Sequence, residues 1–176
     1  MNAIALLSRD HRDVEKLFAR FEESDPEARR PVLEDIIRQL SVHAAIEEAH
    51  VYPVVATLDG GDEMVAEATK EHQAVKVILA RLDSAIDKAH TKEVSERVAR
   101  LKRDVAHHVK EEEGEVFPKL ESSLTKTRLE ELGRELKHAK DNAPTRPHPN
   151  QPPATELTGR ANAIVDRVRD RVTGRS

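Results

Sequence analysis

The sequence predicts an all-α protein: an up-down-up-down four-helix bundle with a short fifth helix and a Pro-rich tail. Three observations predict it. Ala, Leu, Val, Glu and Arg dominate a chain of 176 residues that is 35% charged and 2% aromatic, a helical composition with too little β-branched alternation for a sheet. Four long segments repeat apolar residues at three-four spacing, the mark of a helix with one buried face. The connections between them are short, which makes consecutive helices antiparallel neighbours.

In the first segment Ile4, Leu7, His11, Val14, Phe18 and Phe21 fall on one stripe. Ser24-Asp25-Pro26 stops that helix and starts the next, with Asp25 as the expected N-cap and Pro26 at the first helical position. The second stripe is Ile36, Leu40, His43, Glu47, Val51 and Val54, closed by Asp59-Gly60-Gly61. The third is Val65, Ala68, His72, Val75, Leu79, Leu82 and Ile86, with a break near His90-Thr91. The fourth is Val94, Val98, Leu101, Val105, His108, Glu112 and Val116. A shorter fifth helix carries Leu129, Leu132 and Leu136 behind a capping box of Thr127 and Glu130, and is expected to pack across the bundle. Residues 1–140 thus form the bundle domain. Residues 141–176 are a Pro-rich linker and a short amphipathic helix near 160–172, with Ile164, Val165, Val168 and Val172 apolar. The favoured expectation for this tail is disorder or loose docking.

Net charge is −4 with both signs interspersed, so no nucleic-acid footprint is present. The absence of Cys excludes disulfides and thiolate metal sites, and any metal must sit on His and carboxylate. No apolar run approaches the ~20 residues of a membrane span and no signal-peptide pattern opens the chain, so a soluble cytoplasmic protein is expected.

One phrase occurs twice. His43-Ala-Ala-Ile-Glu47-Glu48 runs into Val51-Tyr52-Pro53, and His108-Val-Lys-Glu-Glu112-Glu113 runs into Val116-Phe117-Pro118, with every spacing kept. A His and a Glu four apart lie on one helix face. The preceding helices match as well: Asp10-His11-Arg-Asp-Val14 against Glu71-His72-Gln-Ala-Val75. Six polar residues therefore point inward: His11, His43, Glu47, His72, His108 and Glu112. A lone His on an apolar stripe is more often a core residue with a hydrogen-bond partner. A carboxylate there costs several kcal/mol unless it is paired or metal-bound, and the duplicated set points to metal. Two six-coordinate ions need about twelve bonds; four imidazoles, two bridging carboxylates and an oxo or hydroxo bridge supply about ten, leaving about two positions for a small molecule. Iron suits these donors and has the redox range for such chemistry.

The four helices, the two His-x-x-x-Glu-Glu phrases and the lone His on helices one and three resemble the hemerythrin-like, or HHE, cation-binding domain over roughly residues 1–140. The resemblance implies a non-haem di-iron centre, oxo- or hydroxo-bridged, held by His11, His43, Glu47, His72, His108 and Glu112. Oxygen-carrying hemerythrins have a second His four residues after the helix-three ligand, where Lys76 stands here. That departure weakens an oxygen-carrier reading and favours peroxide or NO chemistry, or iron sensing.

Glu48 and Glu113 are expected to be outer or solvated carboxylates, with variable ligation or proton acceptance as the alternative. Tyr52 is expected as a core aromatic, the sharper alternative being a phenolate ligand in the position lost to Lys76. Lys76 itself is expected to be exposed or snorkelling. His107 and Glu111 also stand four apart, but the stripe selects His108 and Glu112 and leaves His107 outside. His50, His90, His138 and His148 are expected to be structural or exposed. Pro53 and Pro118 each remove an amide opposite the carbonyls of Ala49 and Gly114, predicting a kink just beyond the metals. Gly114 admits a close backbone approach there, or is simply a weak spot.

Three function classes follow. The first is a di-iron enzyme acting on a small species, with catalase-like decomposition of hydrogen peroxide in oxidative-stress defence foremost. The second is an O2, NO or iron sensing or binding module without turnover. The third is a ferritin-like iron protein; Glu47-x-x-His50 and Glu135-x-x-His138 fit its motif formally but stand outside the repeat, so it ranks last. With no output domain after the bundle, stand-alone small-molecule chemistry is expected.

Overall fold

The computed structural model describes residues 1–151 and the helix 156–173, with side chains given for 161–170 of that helix. Among the described residues the chain is helical and without strands. Four rods form the bundle. The first is α1 (Ala3–Glu23). The second is α2 (Arg29–Ile46), which runs through a π-helical turn, Glu47–Val51, into α3 (Tyr52–Val55). The third is α4 (Gly61–Ser84). The fourth is α5 (Lys92–Glu111), which runs through a second π turn, Glu112–Val116, into α6 (Phe117–Ser123). Then follow α7 (Lys126–Lys140) and α8 (Glu156–Thr173). Consecutive rods pack side by side, and α1 also touches α5, which closes the four-helix bundle.

The boundaries follow local chemistry, with two differences from expectation. Asn2 caps α1 by accepting the Ala5 amide at 2.8 Å, and Thr91 caps α5 through Val94. Gly60 precedes α4 with φ of 68°, a conformation that a Cβ would strain. Asp25 and Pro26 open only a 3-10 turn, Pro26–Ala28, with no side-chain cap, and α2 begins three residues later than expected. The fifth helix is capped by Thr125, which accepts the Arg128 amide, rather than by Thr127.

The apolar core is divided in two. One cluster centres on Phe18, Phe21, Leu33, Ile36, Leu79, Leu82 and Leu101. The other joins Leu6 and Leu7 to Ile46, Val51, Tyr52, Phe117 and Leu120, and takes in Leu129, Leu132 and Leu136 of α7. α7 lies across the start of α1 at Gly133, where any Cβ would stand 2.6 Å from the Met1 carbonyl oxygen. Between the clusters, along each of the four rods, runs a layer of buried His and Glu.

The tail is docked through polar groups. Arg146 is buried, its guanidinium donating to Asp83 of α4 at 2.9 Å and to Asp170 of α8 at 2.6 Å, while its amide donates to Asp166 at 3.0 Å. His148 also meets Asp166 at 3.1 Å. The face of α8 turned inward therefore holds Ala163, Asp166 and Asp170, and the apolar residues Ile164, Val165 and Val168 are exposed. Where disorder or loose docking is the favoured expectation, the tail is docked, because one arginine meeting three carboxylates outweighs a thin apolar stripe. The expected apolar Val172 lies outside the described side chains. No helix among the described residues is long and apolar enough to cross a membrane.

Candidate metal centre

The ligand-type residues stand where the helical stripes aim them, and the two rods that carry the repeated phrases are distorted there. At both repeated phrases the chain adds one residue to the turn: the Tyr52 amide bonds the Glu47 carbonyl and the Phe117 amide bonds the Glu112 carbonyl, both five residues apart. Pro53 and Pro118 follow at once. The wider turn takes up the register that a missing proline amide would otherwise break. The sequence places a kink beyond the metals; the structure places π turns on the Glu residues themselves. Gly114 meets nothing within 4 Å of a built Cβ, so no close approach occurs there.

The six inward residues converge. His11, His43, Glu47 and Glu112 form a four-donor group, and Glu47, His72 and His108 a three-donor group, each with ligand atoms within 4.8 Å of one another. Glu47 belongs to both: its Oε1 lies 3.1 Å from His43 Nε2 and its Oε2 lies 3.4 Å from His72 Nε2. Glu112 Oε2 is 3.2 Å from His11 Nε2 and 3.9 Å from His108 Nε2. The Nε2 atoms approach in pairs, His11 to His43 at 3.2 Å and His72 to His108 at 3.1 Å. Two nitrogens bound at right angles to one ion, each about 2.1 Å away, would be about 3.0 Å apart.

Outer carboxylates set the tautomers. His11 Nδ1 donates to Glu113 at 2.8 Å, His108 Nδ1 to Glu71 at 2.8 Å and His72 Nδ1 to Glu48 at 3.2 Å. Asp10 lies 3.7 Å from His43 Nδ1 and is anchored by Lys140 of α7 at 2.6 Å. A proton held on Nδ1 turns the Nε2 lone pair inward, as a metal-ligating imidazole requires. Asp10 and Glu71, the acid before each lone His, acquire roles that their repetition alone does not reveal. Glu48 and Glu113 are two of these carboxylates.

Other residues depart from expectation or sharpen it. Lys76 is neither exposed nor at the metal layer: its Nζ donates to both oxygens of the buried Glu48, at 2.6 and 2.7 Å. Tyr52 is a core aromatic whose hydroxyl reaches 3.0 Å from His72 Nε2. Its repeat partner Phe117 stacks parallel on the His11 ring at 5.8 Å. His107 is exposed, near Glu111 at 3.3 Å and Glu71 at 3.5 Å.

The donor set fits metal ions. Glu47 is fully buried and Glu112 is 2% exposed, yet none of their four oxygens has a hydrogen-bond partner. Such orphaned carboxylates are expensive unless a cation meets them. Electrostatics agree. Burial pushes the His43 imidazole down, but Glu47 and Asp10 outweigh it and hold its pKa at about 10. Burial likewise opposes Glu47 and Glu48 at His72, whose pKa is held at about 9. Burial works against ionisation of Glu47 too, but His43 and His72 keep its carboxyl well below the usual range. Protons here stand where bound cations would.

Comparison with known proteins agrees with this geometry. The Hemerythrin HHE cation binding domain model matches residues 2–120, and the chain belongs to that family. A crystal structure of a hemerythrin HHE cation binding domain-containing protein, an Rv2633c homolog from Mycobacterium kansasii, superposes with a TM-score of 0.70 at 24% identity, over 80% of this chain and 86% of that one. A DNA nickase from Nostoc sp. (strain PCC 7120) is 30% identical over 142 residues, 80% of this chain. The match spans 39% of that protein's length.

Proposed function

We propose that this layer holds two iron ions, ligated by His11, His43, Glu47, His72, His108 and Glu112, and that the protein decomposes hydrogen peroxide in cytoplasmic oxidative-stress defence. The observation that carries the reading is Glu47: one buried carboxylate facing two separate His pairs, one per oxygen. A carboxylate so placed could hold two ions at once, one on each oxygen. Iron, when bound, supplies redox chemistry on small oxygen and nitrogen species.

The chain's own residues supply the rest. Beside the four imidazoles lies a space of about 20 Å³, lined otherwise mainly by Val14, Leu40, Ala44, Val75, Val105 and Val109. It is large enough for one water-sized molecule and too small for an organic substrate. Its walls leave the imidazoles and Asp10 as the polar groups a small guest meets. Glu113, Glu71 and Glu48 keep protons on the outer ring nitrogens of His11, His108 and His72, and Asp10 faces that of His43 at 3.7 Å. Tyr52 is our candidate for the fourth donor of the three-donor group, its hydroxyl standing beside His72 Nε2. Burial and the charges of Glu47 and Glu112 hold that hydroxyl protonated in the metal-free protein; a cation beside it reverses the preference.

The Nostoc relative is named for nicking DNA. A net charge of −4 favours a small neutral partner over a polyanion, so we do not carry that activity to this chain. The test is oxygen evolution from added peroxide by the iron-loaded protein. Evolution that disappears in Glu47→Ala supports turnover. A spectrum that shifts with NO or azide, without oxygen evolution from peroxide, would replace it by binding or sensing. Nicking of supercoiled plasmid would overturn both.

A further inference from the structure

A cleft of about 430 Å³ opens beside the metal layer, between the start of α4 and the second π turn. Its rim carries Glu63, Glu67, Glu111 and Glu115, and its lining includes two of the ligand-type residues, His108 and Glu112. Both oxygens of Glu112 are buried and without a hydrogen bond. Glu67 shares its charge with the exposed Lys70, while Glu63 and Glu115 make no ion pair among the described residues. Glu111 also belongs, with Glu71 and His107, to a more exposed group of ligand-type atoms within 4.8 Å of one another. The first half of α4 is only partly covered here, with Val65 and Ala68 half-buried, which is why the cleft exists.

We propose that this acidic cleft is the route by which a divalent cation is loaded into the centre, drawn in by the rim carboxylates and handed to Glu112. The inference rests on the metal-centre reading above. Lys119 Nζ stands beside Gly60 at one edge, 3.9 Å from where a Cβ would be, but carboxylates predominate, and a cleft in which one sign of charge predominates concentrates ions of the opposite sign and speeds their capture. Peroxide, O2 and NO are neutral and gain nothing from that field, so the charge pattern selects the metal rather than the substrate. Two residues of the lining, His108 and Glu112, belong to the buried layer, so an arriving ion trades rim carboxylates for Glu112.

The test is the rate at which metal-free, full-length protein takes up Co²⁺, followed by visible absorption. A Glu63→Gln, Glu67→Gln, Glu115→Gln variant is compared with a control of equal charge change on other exposed residues, Glu23→Gln, Glu93→Gln, Glu96→Gln. At low ionic strength the rim variant should load about ten-fold more slowly, reach the same final cobalt content, and lose its deficit in high salt. The control should load at the unaltered rate. A rim variant that loads as fast as the unaltered protein, or a control that slows as much, overturns the route. Failure of the unaltered protein to take up any cobalt overturns the metal-centre reading, and the inference with it.

Discussion

The two halves of the bundle present the same donors and surround them differently. On the His11 side, Phe117 covers the imidazole with an apolar ring, and Glu113 meets it while half open to solvent. On the His72 side, the matching positions are Tyr52, which brings a hydroxyl, and Glu48, which is buried and bound by Lys76. The position matching Lys76 in the first half is Glu15, an exposed acid. Duplication therefore accounts for the shared donor layer, and divergence for the different surroundings of the two His pairs; on the proposed function the second pair would be where chemistry happens. In the four-donor group Phe117 covers the His11 ring. The three-donor group has one donor fewer and the only tyrosine at its edge.

The largest expected effect is loss of the shared donors. Glu112→Ala should take the metal content from about two ions per chain to near none, while His107→Ala leaves it unchanged; elemental analysis decides. Lys76→Met is next, because it removes the closer of the two cationic partners of the buried Glu48 and leaves it with His72. It should destabilise the metal-free protein by about 3–5 kcal/mol, against about 0.5 kcal/mol or less for Glu15→Met, measured by urea unfolding. Equal costs would erase the asymmetry. Tyr52→Phe should cost about 1 kcal/mol and remove a visible phenolate-to-iron band; a spectrum left intact would take Tyr52 out of the centre.

A pH experiment probes the buried imidazoles. His43 and His72 carry folded values of about 10 and about 9, above the ordinary value of about 6.5. Both are therefore protonated at neutral pH in the metal-free protein. Their contribution to its stability is fully present below about pH 6.5 and is lost as pH rises through about 9 to 10. Metal must displace those protons, so uptake at pH 7 should release about two protons per chain from these residues, and apparent affinity should rise with pH. Calorimetry in buffers of different ionisation heat measures the release. The smallest effect on the centre is expected from Arg146→Ala, which should free α8 for rapid amide exchange and leave metal content unchanged.

Much of this was legible in the primary structure. The stripes through Leu40, His43 and Glu47, and through Leu101, Val105 and His108, define the rods and aim the six inward side chains, because helix periodicity is local. The pairing of each outer nitrogen was not legible. Asp10 serves His43, and Glu113 serves His11 from 102 residues away, so the partners depend on how rods are set side by side. Lys76 was misplaced for the same reason: its partner Glu48 lies 28 residues back, on another helix. The π turns were hidden because Pro53 and Pro118 announce a distortion without saying whether the helix bends or widens. The tail was underestimated because an apolar count ignores what one well-placed arginine can hold.

The most direct measurement is an anaerobic Fe²⁺ titration of the metal-free full chain, with bound iron measured at each step. Two coupled sites sharing Glu47 require uptake that ends at about two ions per chain, with both lost together in Glu47→Ala. An endpoint at one ion, or uptake that survives that substitution at either site, would contradict a carboxylate-bridged pair.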